Sequence, residues 1–150
     1  MAYTIPRVTC RLTLKEEEIK YMEDAITGPE AAVRIVRPLL ETLDRECVAV
    51  VNLDTGLKPI NWNIVSIGGT CAAQVEIANI FKTAILSNAA KIMAFHNHPS
   101  GKVEPSDEDR EITERIRMAG ELLGIPLVDH IIIAAGKNGY YSLMESEGLS

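Results

Sequence analysis

The sequence predicts an α/β (α+β) domain in which a mixed β-sheet is sandwiched by helices. Three observations predict it. Short β-branched apolar runs recur along the chain, three stretches with apolar residues at helical spacing separate them, and Gly, Pro and Asn fall mostly between these runs.

The elements follow in order. Arg7 to Leu14 alternates apolar and polar residues and is expected to be a strand, after which the charged stretch Lys15 to Asp24 reads as a solvated surface. Thr27-Gly28-Pro29-Glu30, with Thr at a potential N-cap and Pro near the start, announces a helix to about Leu43. Val33, Val36, Leu40 and Leu43 form its core face, and Pro38 limits its regularity. Cys47 to Leu53 is a buried type of strand, and Asp54-Thr55-Gly56 turns the chain into a second strand, Pro59 to Ile67. Gly68-Gly69-Thr70 breaks the sheet, and Val75, Ile77, Ile80, Phe81, Ala84 and Ile85 mark a largely buried helix. Lys91 to Phe95 is a strand buried on both faces. Ser106 caps a helix with Ile112, Ile116, Ala119 and Leu123 on one stripe, ended by Gly124 and Pro126. Val128 to Ala135 and Tyr140 to Leu143 pair around Gly136-Lys137-Asn138-Gly139, and the remainder is a loose tail. The order is therefore β-α-β-β-α-β-α-β-β. Residues 27–144 form the domain, 1–26 a strand and charged segment packed on it, and 145–150 a tail.

The 150 residues suit one domain, and a net charge of −6 provides no basic face for phosphate, so nucleic acid is a disfavoured partner. Cys10, Cys47 and Cys71 are odd in number and lack any Cys-x-x-Cys, which suggests buried thiols in a reducing cytoplasm. No apolar run approaches the ~20 residues of a spanning helix, and Met1 to Arg7 has no signal-type core, so no membrane association is expected.

The chemistry concentrates in His96 to Asp109. Side chains two apart on a strand leave the same face, so His96 and His98 project together, their Cα atoms roughly 6.5–7 Å apart. Pro99 ends the strand, and the loop through Ser100-Gly101-Lys102 returns to the helix at Ser106. Ser106 and Asp109 share one side of its first turn and can face back toward the histidines, making Asp109 a third metal ligand. The competing reading is a capping box, which normally uses Glu or Gln; Asp is short for it.

His-x-His, seven residues, then Ser-x-x-Asp resembles the motif of the JAMM (MPN/JAB) metalloproteases. The wording His96-Asn97-His98-Pro99-Ser100-Gly101, then Pro105-Ser106-x-x-Asp109, resembles the RadC-like branch. The resemblance runs from about Thr27 to Ser142 and includes Asp44-Arg45-Glu46, Leu53-Asp54-Thr55, Asn88-Ala89-Ala90, Gly124-Ile125-Pro126 and Asp129-His130. It implies an MPN/JAB-like sheet sandwiched by helices with cytidine-deaminase-like layering. The chain departs from longer relatives in lacking their N-terminal helix-hairpin-helix region, and in carrying Ala78-Asn79 where many read Arg-Glu.

Two His and one Asp leave an open position on a tetrahedral ion, the pattern of a catalytic zinc site, with one Zn²⁺ per chain expected; such ligands also suit Fe²⁺, Mn²⁺ or Ni²⁺. The resemblance places a general base, Glu46, at the start of an earlier strand, with Glu76 and Glu104 as other candidates. It assigns Ser106 a hydrogen bond to the attacking water or the developing oxyanion. His130 is a further potential ligand but reads better as a core or supporting group, Lys102 as an attractor of acidic substrate, and Trp62 and Asn63 as groove or core residues. The expected activity is zinc-dependent hydrolysis of a peptide or isopeptide bond through a metal-activated water, acting on a peptide or protein substrate. The alternatives are a non-catalytic scaffold on the same fold and a DNA-repair-associated protein, the label often given to RadC-like proteins.

Overall fold

In the structure, a computed structural model, residues 4–15, 25–67, 75–136 and 139–148 are described. The strands are β1 (Cys47–Leu53), β2 (Pro59–Ile67), β3 (Lys91–His98), β4 (Leu127–Ala134) and β5 (Tyr140–Ser142); the helices are α1 (Pro29–Leu40), α2 (Ile77–Leu86), α3 (Asp107–Leu123) and α4 (Leu143–Glu147). The five strands form one mixed sheet in the order β2-β1-β3-β4-β5, with only β3 and β4 parallel. This is the expected α+β sandwich.

Period-two alternation divides the central strands between two cores. Cys47, Ala49, Val51, Met93, Phe95, Ile131 and Ile133 face Ala32, Val33, Val36 and Leu40 of α1. Val48, Val50, Ile92 and Ala94 face Ile80, Phe81 and Ala84 of α2 and Ile112 and Ile116 of α3. The sheet is thus covered on both sides, which explains why β1 is buried along its whole length. Among the described residues no helix is long and apolar enough to cross a membrane.

Four expectations are corrected. Residues 7–14 form no strand: 4–15 are irregular, with Val8 and Leu14 exposed. Alternation supplies a potential apolar face but not the partner edge an isolated strand needs. The first helix ends at Leu40, three residues short of Leu43, and its N-cap is Gly28 rather than Thr27, without a side-chain cap bond. Pro38 lies within its last turn and has no N–H to extend the ladder. Residues 144–147 are not loose tail, and Leu143 does not belong to the last strand. Together they form α4, because Ser142 Oγ accepts the Glu145 N–H at 3.0 Å and Gly148 closes the turn in the left-handed region. Cys10 is exposed rather than buried, whereas Cys47 is enclosed and burial pushes its thiol up to about 11. The charged segment 16–24, the Gly68-Gly69-Thr70 break, Cys71 and residues 137–138 lie outside the described residues.

Gly120 sets how closely α3 lies against the chain that returns to β4. A Cβ there would stand 2.6 Å from the Ile125 carbonyl oxygen. Gly120→Ala is therefore expected to destabilise the domain by about 1–3 kcal/mol, despite the better helix propensity of Ala, as a lowered urea midpoint.

Candidate metal centre

The site forms where the buried strand β3 ends beside the beginning of β1. His96 and His98 continue the line of Ile92 and Ala94 and emerge on the α2/α3 face, with ring centroids 4.8 Å apart and nearly perpendicular. Asn97, between them, points the other way. Its Oδ1 accepts the Cys47 N–H at 2.6 Å and its Nδ2 donates to the Arg45 carbonyl at 3.0 Å. One buried amide thus holds both neighbours of Glu46, whose Oε2 lies 3.7 Å from His96 Nε2. Asn97→Ala would leave the buried Cys47 N–H without a partner. It is expected to cost about 1–3 kcal/mol in urea unfolding.

Asp109 approaches from the first turn of α3. Its Oδ1 stands 2.9 Å from His96 Nδ1, and its Oδ2 3.5 Å from His98 Nε2. The same Oδ2 accepts both the Ser106 N–H and the Ser106 O–H at 2.8 Å, while Ser106 Oγ accepts the Asp109 N–H at 3.1 Å. A capping box therefore does form with Asp, and Asp109 faces the histidines as well. One carboxylate serves both purposes because helix start and strand end meet here.

Hydrogen bonding fixes the ring nitrogens. The Lys102 carbonyl, 2.9 Å from His98 Nδ1, can only accept, so Nδ1 carries the proton and neutral His98 presents a bare Nε2. The ionised Asp109 likewise accepts a hydrogen bond from His96 Nδ1–H, which leaves Nε2 facing Glu46. One ligand atom from each of Glu46, His96 and His98 lies within 4.8 Å of the others, a group able to hold a metal ion. Donors about 2.0–2.1 Å from a tetrahedral ion lie roughly 3.3–3.5 Å apart. The 3.7 Å between His96 and Glu46, both members of that group, is close to that spacing; Asp109 is not a member, its Oδ1 being held at His96 Nδ1 and its Oδ2 lying 3.5 Å from His98 Nε2.

Charge follows the same geometry. When His98 gains a second proton, at Nε2, it donates to Asp109 Oδ2, and this hydrogen bond raises its pKa; burial opposes the rise, and the Lys102 carbonyl and the charges of Asp109 and Glu46 add to it. For Asp109, burial works against ionisation but is outweighed by hydrogen bonds from His96, His98 and the Ser106 backbone, which hold the carboxyl well below the usual range.

A family model, the RadC-like JAB domain, matches residues 26–149. The chain belongs to the RadC-like JAB family. Similar proteins include a UPF0758 protein of Thermotoga maritima, 46% identical over 69% of this chain and 46% of the relative. A UPF0758 protein of Listeria innocua is 42% identical over 90% of this chain and 58% of the relative. Another, from Rubrobacter xylanophilus, is 40% identical over 80% of this chain and 52% of the relative. The chain spans about half the length of these relatives.

Within this RadC-like JAB domain, Glu46, His96, His98, Ser106 and Asp109 stand together, and the other candidates fall elsewhere. Glu76 is exposed at the N-cap of α2, and Glu104 is exposed in the loop before α3. Lys102 contributes its carbonyl to His98, while its side chain is exposed. Trp62 packs on the α1-side core, away from the histidine face, whereas Asn63 pairs with Val50 of the opposite core. His130 is enclosed below the site against Thr113, with ring centroids of His96 and His130 6.4 Å apart. Sequence reasoning missed Asn97 and Thr113. A polar residue between two histidines on an otherwise apolar strand was the available signal for the first.

Proposed function

We propose that this chain is a zinc-dependent metallohydrolase that cleaves a peptide or isopeptide bond. The observation that carries the reading is the pairing of two histidines, each with Nε2 facing a carboxylate, between two carboxylates of opposite character. Asp109 is buried and held by Ser106 and His96; the Glu46 side chain is 36% exposed. A locked anion suits holding an ion, and an accessible one suits exchanging protons with water and substrate. His96, His98 and Asp109 would hold Zn²⁺, with Glu46 beside it. The bound ion would supply Lewis acidity, lowering the pKa of a coordinated water to about 7 and polarising the attacked carbonyl.

The chain's own groups do the rest. Glu46 takes the proton of the attacking water and returns it to the leaving amine. Ser106 O–H is committed to Asp109 Oδ2 here. Turning it toward a developing oxyanion would leave Asp109 still holding the Ser106 N–H. The partner is a peptide or protein, since a chain of net charge −6 lacks the basic face that phosphate backbones require.

A peptide and isopeptide library tests the activity. Chelator-sensitive cleavage by wild type that His98→Ala abolishes is the expected result. Absence of turnover across the library, with partner binding retained by Glu46→Gln, would contradict it and favour a scaffold. Tight, salt-sensitive DNA binding would favour the repair-associated reading.

A further inference from the structure

Beneath Asp109, Thr113 Oγ1 lies 2.6 Å from the Asp109 carbonyl oxygen and 2.6 Å from His130 Nδ1. Thr113 and His130 are 0% and 1% exposed, and His130 Nε2 has no hydrogen-bond partner among the described residues. The contacts determine where the protons sit. Two oxygens 2.6 Å apart need a proton between them; the carbonyl has none, so the Thr113 hydroxyl supplies it. The contact to His130 then needs a second proton, and only Nδ1–H can provide it. A chain results in which His130 Nδ1–H donates to Thr113 Oγ1 and Thr113 O–H donates to the Asp109 carbonyl. Burial holds the His130 pKa down to about 3, so the ring is neutral and the unpartnered Nε2 is a bare lone pair.

We propose that Thr113 and His130 are positioning residues: a buried strut from β4 that pins the backbone of Asp109 and so aims its carboxylate at His96 and His98. The strut accounts for His130, which stands in the Asp129-His130 match and which the site does not use. His130 lies opposite Ala94 on β4, on the face carrying the site histidines, and Thr113 is one helical turn after Asp109. A bare imidazole nitrogen in the core is unfavourable unless the ring serves elsewhere, and its service is the proton it lends Thr113. Supporting partners of metal ligands commonly control affinity through such orientation.

The inference rests on Asp109 being a ligand, and zinc affinity by chelator competition tests it. Thr113→Val and His130→Leu are expected to weaken zinc binding by about 10–100-fold in folded protein. His130→Asn, whose side-chain N–H can replace Nδ1–H, is expected to restore affinity to near the wild-type value. Thermal melts run in parallel distinguish the strut from a merely structural pair: lowered melting temperatures with unchanged zinc affinity would overturn it. Nitrogen-15 spectra of the metal-free protein should place the His130 proton on Nδ1, and a proton on Nε2 would also overturn it. Wild type that binds no zinc overturns both readings of the site, whereas zinc-binding variants equal to wild type overturn this one alone.

Discussion

Replacing Glu46 with Gln is expected to lower turnover by two to four orders of magnitude while zinc stays bound. Gln keeps the shape and can still donate to or accept from neighbours, but it cannot take up a proton at neutral pH. The carboxylate it replaces lies 3.7 Å from His96 Nε2 and is the more exposed of the two acids in the site. The measurement is zinc content beside the cleavage rate. Because Glu46, His96 and His98 themselves form a group that could hold an ion, the two readouts separate the roles. Lost zinc in Glu46→Gln would make Glu46 a ligand, and retained zinc with full activity would remove it from the chemistry.

Without metal, the domain is expected to be most stable between about pH 4 and pH 6.5, with both limbs traceable to one pair. Asp109 is held below its unfolded value, so its contribution is present above about pH 4 and is lost as pH falls through the folded pKa. His98 is raised, so its contribution is full below about pH 6.5 and fades as pH rises through the folded value. Asp109→Asn removes the anion from a buried pair and loosens the first turn of α3. A loss of about 3–5 kcal/mol at pH 5–6, or on the order of 10 °C in melting temperature, is expected. Thermal melts in chelator across pH 3–8 would show the optimum, and the acid limb should flatten in Asp109→Asn. An unchanged acid limb would show that the carboxylate is not held as its contacts imply. Added zinc should shift the optimum upward in pH, since an ion and a proton compete for His98 Nε2.

The site was legible where it is local. Strand periodicity put His96 and His98 on one face, Pro99 ended the strand, and the Ser106–Asp109 spacing brought the first turn of α3 back to them. What was not legible depends on contacts distant in sequence. Asn97 bonds to Arg45 and Cys47, about fifty residues away, and His130 contacts Thr113 on another element. The difference between Glu46 and Asp109 is one of exposure and hydrogen bonding, which spacing does not encode. The same limit accounts for residues 7–14: an alternating pattern describes a face, while pairing requires an edge to receive it.

The most direct test of the central claim is elemental analysis of protein purified without added metal, comparing wild type with His96→Ala and Asp109→Asn. About one zinc per chain in wild type, lost from both folded variants, is the predicted result. Wild type free of metal even after reconstitution, or variants that keep their zinc, would contradict it.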